Sequence, residues 1–380
     1  MPELSSSLDK RWAMLMFNAG NNDLSNASLK DLRELCRVGV SPHTHAVVEI
    51  GMTGEFSGFI RYEITEPDAR YDSHDPRRTA YRMVIERIPD AAIKPRANEE
   101  KTLTEFLRWS RERYPSVHEI LVLWGHGDGQ RVTIDLAGRA LTMNSIRNAL
   151  KNSEYTPKRP LTILGFDACL MSNIENAYEF KDFVTLLIGS QALEPIDGWP
   201  YDKLLAKLNT NPDPLTVTHS LIADYISSYH ERLPFGICLA VVELKKLDHL
   251  ALLVSDLGTY LQKNVTTLYG DIRKSRIYAQ SFLHIGFVDL LDFTRNVANR
   301  SGDEHLLKLV KDMAAAHANC IRAEKLGYTV KDASGLSIWF PSFRKQFEKG
   351  RDAYTRLAFS AEHSGWLNFL DLYHARSPAE

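Results

Sequence analysis

The sequence predicts an α/β fold, a mostly parallel sheet with helices on both faces, followed by a helical C-terminal portion. Three observations predict it. Apolar runs of strand length alternate with amphipathic helical runs over residues 1–243, the pattern of successive strand-helix-strand units. Two of these runs, Ile120-Leu121-Val122-Leu123 and Leu161-Thr162-Ile163-Leu164, are almost wholly apolar, as strands covered on both faces must be. After Val242 the alternation gives way to longer helical patterns.

In chain order, strands are expected at Trp12–Phe17, His45–Ile50, Phe59–Ile64 and Tyr81–Ile88. The last two flank Glu66-Pro67-Asp68, so Gly51–Ile88 reads as a β-ribbon inserted on the sheet. A helix from about Glu99 to Tyr114 puts Leu103, Phe106, Leu107 and Ser110 on one face and is closed by Pro115. Further strands are expected at Ile120–Trp124, Leu161–Phe166, Phe183–Ile188 and Ile237–Val242, with short helices after Thr142 and Ser172, each near a plausible N-cap. Beyond them Leu244–Lys263, Phe282–Ala298 and Glu304–Lys325 read as helices, with a join near Gly270–Arg276. Gly335-Leu336-Ser337-Ile338-Trp339-Phe340-Pro341 reads as one more strand that returns to the core sheet. No repeat or linker divides the chain. The expected organisation is a core over 1–243 with the helical portion 244–380 packed on it.

Composition narrows the class. Hydrophobic content of 44% and charged content of 25% are ordinary for a globular protein. The formal charge is -2 and no segment is strongly basic, which disfavours nucleic acid as a partner. No apolar run approaches the ~18–20 residues that span a bilayer. The N-terminal MPELSSSLDKRW has no apolar signal core. Four cysteines are too few for a disulfide framework in a chain of this length. A cytoplasmic location, away from membranes, is therefore expected, and there a thiol stays free.

The chemistry is concentrated at two strand ends. Ile120–Leu123 leads into Trp124-Gly125-His126-Gly127-Asp128-Gly129, and Leu161–Leu164 into Gly165-Phe166-Asp167-Ala168-Cys169-Leu170-Met171-Ser172. The carboxyl ends of parallel strands form the crevice where such folds do chemistry. The interval between the segments holds one crossover of roughly 30 or more residues, so His126 and Cys169 are expected on neighbouring strands. Cysteine attacks as thiolate, and a free thiol near pKa ~8.5 needs a base. An adjacent imidazole takes that proton and later hands one to a leaving amine. Gly127 has no side chain to obstruct its N–H, which with the Cys169 amide can receive an oxyanion. A single strand-end cysteine is more often a packing residue; the two motifs in order, one crossover apart, favour catalysis. Cys36, Cys238 and Cys320 lack such a context and read as structural.

Five segments resemble the clostripain family of cysteine peptidases, in the caspase-like clan CD. They are Trp12-Ala13-Met14-Leu15-Met16-Phe17-Asn18-Ala19-Gly20-Asn21-Asn22-Asp23-Leu24, Leu123–Gly127, Phe166–Ser172, Glu194-Pro195-Ile196-Asp197-Gly198-Trp199-Pro200-Tyr201 and Gly335–Pro341. The resemblance implies a caspase-like (haemoglobinase-type) fold, a His126–Cys169 dyad and cleavage of protein or peptide substrates after Arg, less well Lys. It also implies that Asp167 and Asp197 line the pocket for that basic residue. Asp167 lies two residues before Cys169, so on a strand its side chain points the same way as the thiol. Arg suits two carboxylates better than Lys, because its planar fork pairs bidentately. Relatives are commonly processed between the His and Cys segments, and Arg139-Ala140 best resembles such a site, which makes the chain a zymogen activated by itself, by another protease or by a regulatory partner.

Other signals weigh less. Gly125–Gly129 lacks the Lys-Ser/Thr of a phosphate loop, which disfavours a doubly wound nucleotide-binding protein. His43 and His45 read as surface histidines. Asp72, His74 and Asp75 have the residue types for a cation but no diagnostic oxygen-rich loop; no metal site is assigned and no cofactor is required, although some relatives use calcium. The alternative reading is a catalytically silent caspase-like adaptor. The joint presence of His126, Gly127, Asp167 and Cys169 argues against it.

Overall fold

Parallel strands form the centre of the molecule. The computed structural model describes residues 11–52, 58–66, 81–82, 99–229, 235–282 and 286–376. The strands are β1 (Trp12–Asn18), β2 (Thr44–Met52), β3 (Gly58–Ile64), β4 (Tyr81–Arg82), β5 (His118–Trp124), β6 (Arg131–Val132), β7 (Leu141–Thr142), β8 (Leu161–Asp167), β9 (Val184–Gly189), β10 (Ile237–Glu243), β11 (Ser281–Phe282), β12 (Phe287–Asp289), β13 (Ile321–Leu326) and β14 (Ser337–Trp339). The main sheet runs β13-β10-β9-β8-β5-β1-β2-β3-β4. From β9 to β2 every neighbouring pair is parallel, and the flanking pairs are antiparallel.

The register fixes the site. Asn18 pairs with Trp124, and Trp124 with Asp167, so β1, β5 and β8 end abreast. Alternate side chains of these strands enter two different cores. One joins Trp12, Met14, Ile120 and Val122 to helices α1 (Ser25–Val38), α5 (Tyr201–Asn209) and α6 (Pro214–Tyr229). The other joins Leu15, Phe17, Leu121 and Leu164 to α2 (Glu100–Arg113), α3 (Met143–Asn152), α4 (Ile174–Glu179) and α7 (Leu247–Lys263). Burial on both faces is the reason that these strands read as continuous apolar runs. Gly165 is required where the Trp199 indole lies on the sheet, because a Cβ there would come within 2.7 Å of the ring.

The C-terminal portion continues through α8 (Val265–Tyr278), α9 (Leu290–Ser301), α10 (Glu304–Cys320), α11 (Arg344–Tyr354), α12 (Ala358–Glu362) and α13 (Gly365–Arg376). Its apolar residues share the core of α2, α3 and α7, so it has no separate interior. Four expectations are corrected. The strand that rejoins the main sheet is β13, where the sequence suggested the end of a helix; α10 stops at Cys320. It is an edge strand in which half-buried Ile321, Ala323 and Leu326 are interspersed with charged Arg322, Glu324 and Lys325, the composition that protects edges and weakens an apolar signal. Gly335–Pro341 does not return to the core sheet. β10 is already flanked by β9 and β13, so Ser337–Trp339 instead completes a small sheet, β11-β12-β14. The helix expected over Phe282–Ala298 begins only at Leu290, because Asp289 accepts from the Asp292 N–H as its N-cap.

Of the inserted ribbon, β3 and Tyr81–Arg82 are seen pairing at the sheet edge; residues 83–88 lie outside the described residues, as do Asp72, His74 and Asp75. Gly270–Arg276 is interior to α8, and the join lies at Asn264. Among the described residues, no helix is long and apolar enough to cross a membrane.

Candidate active site

The loop after β8 is rigidly held. Its Leu170 N–H donates to the Ala192 carbonyl and its Ser172 N–H to that of Ser190, at 3.0 and 2.9 Å. Leu170 itself has φ 70, a left-handed conformation costly for a leucine and sustained by the surrounding bonds. Asn173 caps α4 by accepting from the Asn176 N–H. The amides of Asn173 and Asn176 both donate to the Gly129 carbonyl, at 2.8 and 3.1 Å, and so tie this loop to the one after β5. From behind, Gln191 bonds Asp289 and Ser337 and accepts from the Gly335 N–H. The C-terminal portion thereby braces the cysteine loop.

Cys169 and His126 line one cavity of about 170 Å³, together with Asp167, Glu194 and Gly198. The Cys169 Sγ accepts from the Glu194 N–H at 3.3 Å. Burial pushes the thiol above its ordinary value, against the pull of the Glu194 N–H, and the Asp167 charge raises it further. The resting group is therefore a thiol. His126 is more open, with 41% of its side chain exposed. Its Nε2 lies 2.8 Å from Asp23 Oδ1. The bond to His126 holds the Asp23 carboxyl below its usual value, in spite of slight burial. With Asp23 ionised, Nε2 is the donor and Nδ1, which has no hydrogen bond among the described residues, can act as base. Gly127 packs so closely that a Cβ would sit 2.6 Å from the Cys169 carbonyl. Among the described residues, neither the Gly127 nor the Cys169 N–H enters a backbone hydrogen bond.

The two acids named from the sequence part company. Asp167 is buried; its Oδ2 accepts from the Tyr201 hydroxyl at 2.6 Å and from the Trp199 N–H at 3.2 Å. Burial raises its carboxyl in spite of these bonds. Asp197 lies on the far side of Gly198, in a separate depression of about 240 Å³. It is exposed and paired with the Lys30 ammonium at 2.6 Å. In this arrangement it is a rim residue and does not reach the Cys169 cavity.

Arg139 and Ala140 lie at the base of an exposed turn between β6 and β7. The Arg139 carbonyl accepts from the Asp135 N–H, and its guanidinium pairs with Asp135 Oδ2 at 2.6 Å. Burial alone would raise Asp135, but the Arg139 side chain and the N–H groups of Arg139 and Ala137 hold it low. Cys36, Cys238 and Cys320 are buried and unpaired. His43 is exposed, and His45 packs edge-on to Tyr114 at 5.1 Å. Among the described residues, no group of three His, Cys, Asp or Glu could hold a metal ion.

Two residues of the site were not singled out from the sequence. Asp23 follows β1, whose end is level with those of β5 and β8, and an acid beyond the third strand end is a legible signal. Glu194 precedes a proline in a loop, where nothing marks its carboxyl as buried.

A sequence model described as the clostripain family matches residues 16–373. The chain belongs to the clostripain family. Clostripain of Hathewaya histolytica is 22% identical over 307 residues, which make up 65% of this chain and 57% of that protein. The chain thus matches less than two thirds of this relative's length. Among solved structures, an inactive zymogen C11 protease from Parabacteroides distasonis superposes with a TM-score of 0.71 at 17% identity, covering 96% of this chain and 99% of the other. A secreted C11 cysteine protease from Bacteroides thetaiotaomicron, in complex with an irreversible peptide inhibitor, gives 0.67 at 17% identity, covering 93% and 98%. These likenesses carry the fold, the caspase-like α/β architecture of C11 proteases.

Proposed function

We propose that this clostripain-family protein is a cysteine endopeptidase that hydrolyses peptide bonds after Arg, less well after Lys, through Cys169 and His126. The observation that carries the reading is one cavity bounded by both groups and by the buried carboxyl of Asp167. A substrate guanidinium reaches Asp167 while the following carbonyl lies over Sγ. His126 takes the thiol proton as Sγ bonds to the carbonyl carbon, and the N–H groups of Gly127 and Cys169 receive the oxyanion. Collapse expels the amine, which leaves with the proton from His126. Water then attacks the thioester, giving a proton to His126 that returns to sulfur as the acid departs. Because burial favours the protonated sulfur, the thiol is activated by His126 in the attack step itself. No cofactor enters these steps.

The test is turnover of peptides with Arg, Lys or Asp before the reporter. Arg should lead, Lys follow and Asp be inert, and the Cys169→Ala protein should cut none of them. Preference for Asp would overturn the assignment of an acidic pocket.

We further infer activation by cleavage at Arg139–Ala140. The turn is exposed, but a peptidase must first free the Arg139 side chain from Asp135 and extend the backbone. Incubation should yield a new N-terminus at Ala140 in the wild type and none in Cys169→Ala if the chain cuts itself; Asp135→Asn should speed the cut about fivefold or less, the release of a partly exposed ion pair. No new terminus in either wild type or Asp135→Asn would exclude this site. An uncut but fully active Arg139→Ala protein would show that cleavage is not the switch.

A further inference from the structure

The cavity beneath Cys169 contains a carboxyl that the mechanism above does not use. Glu194 supplies its backbone N–H to Sγ, and it lines the same cavity as the thiol. Trp199 holds both acids of the cavity at once: its backbone N–H bonds Asp167 Oδ2, and its indole Nε1–H bonds Glu194 Oε2 at 3.1 Å. Glu194 Oε1 is shut away from solvent and has no partner among the described residues. The ionisable groups around Glu194 are Asp167 and Cys169, which line the same cavity, Tyr201 of α5, and Tyr225 and Tyr229 of α6. Asp31 of α1 stands behind Asp167 and Tyr201. Apart from His126 across the cavity, all are acids. The Lys30 ammonium, by contrast, is taken by Asp197 outside.

Two carboxyls bonded by one tryptophan in one small cavity, the first buried and the second with an oxygen shut from solvent, do not both ionise without a cation; they hold a proton between them. Such a floor is complementary to a guanidinium, which brings both a charge and several N–H donors. We propose that Glu194 is the second carboxyl of the cation pocket, sharing one proton with Asp167 while the pocket is empty and releasing it when a substrate guanidinium binds. This rests on the arginine-directed reading above. The balance is simple: the pair goes from one negative charge to two, the guanidinium supplies the compensating positive charge, and the proton leaves to solvent. Arg is favoured over Lys because the ammonium, with three donors, satisfies fewer of the acid oxygens. Affinity for basic substrates should accordingly weaken as pH falls, through a group other than the catalytic histidine.

The experiment is calorimetric binding of benzamidine, an amidinium probe, to the full-length Cys169→Ala protein in two buffers of different protonation enthalpy near neutral pH. About one proton should be released per probe bound. In Cys169→Ala/Glu194→Gln, where the amide oxygen still accepts from Trp199, the release should vanish and binding weaken at least about tenfold. Unchanged release in the Gln variant, or tight binding without release in the parent, would overturn the proposal. If the Gln variant fails to fold, Asp167→Asn must abolish release in the same measurement, and release that persists there overturns the proposal too. Failure of benzamidine to bind the parent, with no cleavage of Arg peptides by the wild type, would instead remove the arginine-directed reading and this inference with it. Cleavage of Arg peptides by a wild type whose KM does not vary with pH would overturn the shared proton alone.

Discussion

The loops after β5 and β8 end on the same line of the sheet, yet they are built in opposite ways. The β8 loop is tied by backbone bonds to Ser190 and Ala192, capped by Asn173 and braced by Gln191, and it carries a half-buried thiol beside a buried acid. The β5 loop carries an open imidazole, 41% exposed, whose partner Asp23 is 64% exposed. The same contrast separates the acids across Gly198, with Asp167 inside and Asp197 in solvent beside Lys30. Burial, more than residue type, sets what each group is worth. An exposed ion pair contributes ~0.2–1 kcal/mol, whereas truncating one partner of a buried pair costs ~2–5 kcal/mol. The fixed loop should therefore control specificity and the nucleophile, and the open one should tolerate change outside the imidazole itself.

The largest effects test whether the two loops form one machine. Cys169→Ala should abolish turnover, and His126→Ala should lower kcat by several orders of magnitude with the fold retained by circular dichroism. Full activity in a pure Cys169→Ala sample would remove the mechanism. The next effect sharpens the inside-outside contrast. Asp167→Asn should reduce kcat/KM for Arg peptides at least about tenfold, as expected for a buried partner. Asp197→Asn should change it less than about fivefold, since its charge is already met by Lys30 in water. Equal losses in both variants would mean that Asp197 turns inward when substrate binds.

Much of this arrangement was legible in the sequence because burial on both faces writes itself plainly. Ile120–Leu123 and Leu161–Leu164 are apolar for that reason, and their polar followers had to lie at the strand ends. β13 was hidden because an edge strand with Arg322, Glu324 and Lys325 has no such signature, and a helix runs straight into it. The destination of Ser337–Trp339 was hidden because an apolar triplet does not say which edge is vacant. Asp197 and Glu194 stand three residues apart in one loop. Nothing local reveals that the Trp199 indole draws Glu194 inward while Lys30, from a different helix, holds Asp197 out.

A smaller effect is expected on the open side. Asp23→Asn leaves His126 in place and removes an exposed partner worth ~0.2–1 kcal/mol, so kcat should fall up to about fivefold with KM unchanged. A loss as large as that of His126→Ala would show that the open loop depends on Asp23 for more than orientation.

The smallest effect concerns stability and extends the contrast behind the pocket. Asp31 is buried, and burial together with the charges of Asp167 and Glu34 pushes its carboxyl up to about 9. An acid raised in the folded state binds more protons folded than unfolded between its ordinary value near ~4 and that raised value. Stability must then fall as pH climbs through this window, from full benefit at its acid end to full penalty at its alkaline end. Asp31→Asn removes that term. The variant and wild type should unfold at similar temperatures near pH 5, and by pH 8.5 the variant should be the more stable by about 2 °C or more. Parallel melting curves for the two proteins from pH 5 to 8.5 would mean that water reaches Asp31, and that the acids behind the pocket are less enclosed than those beneath the thiol.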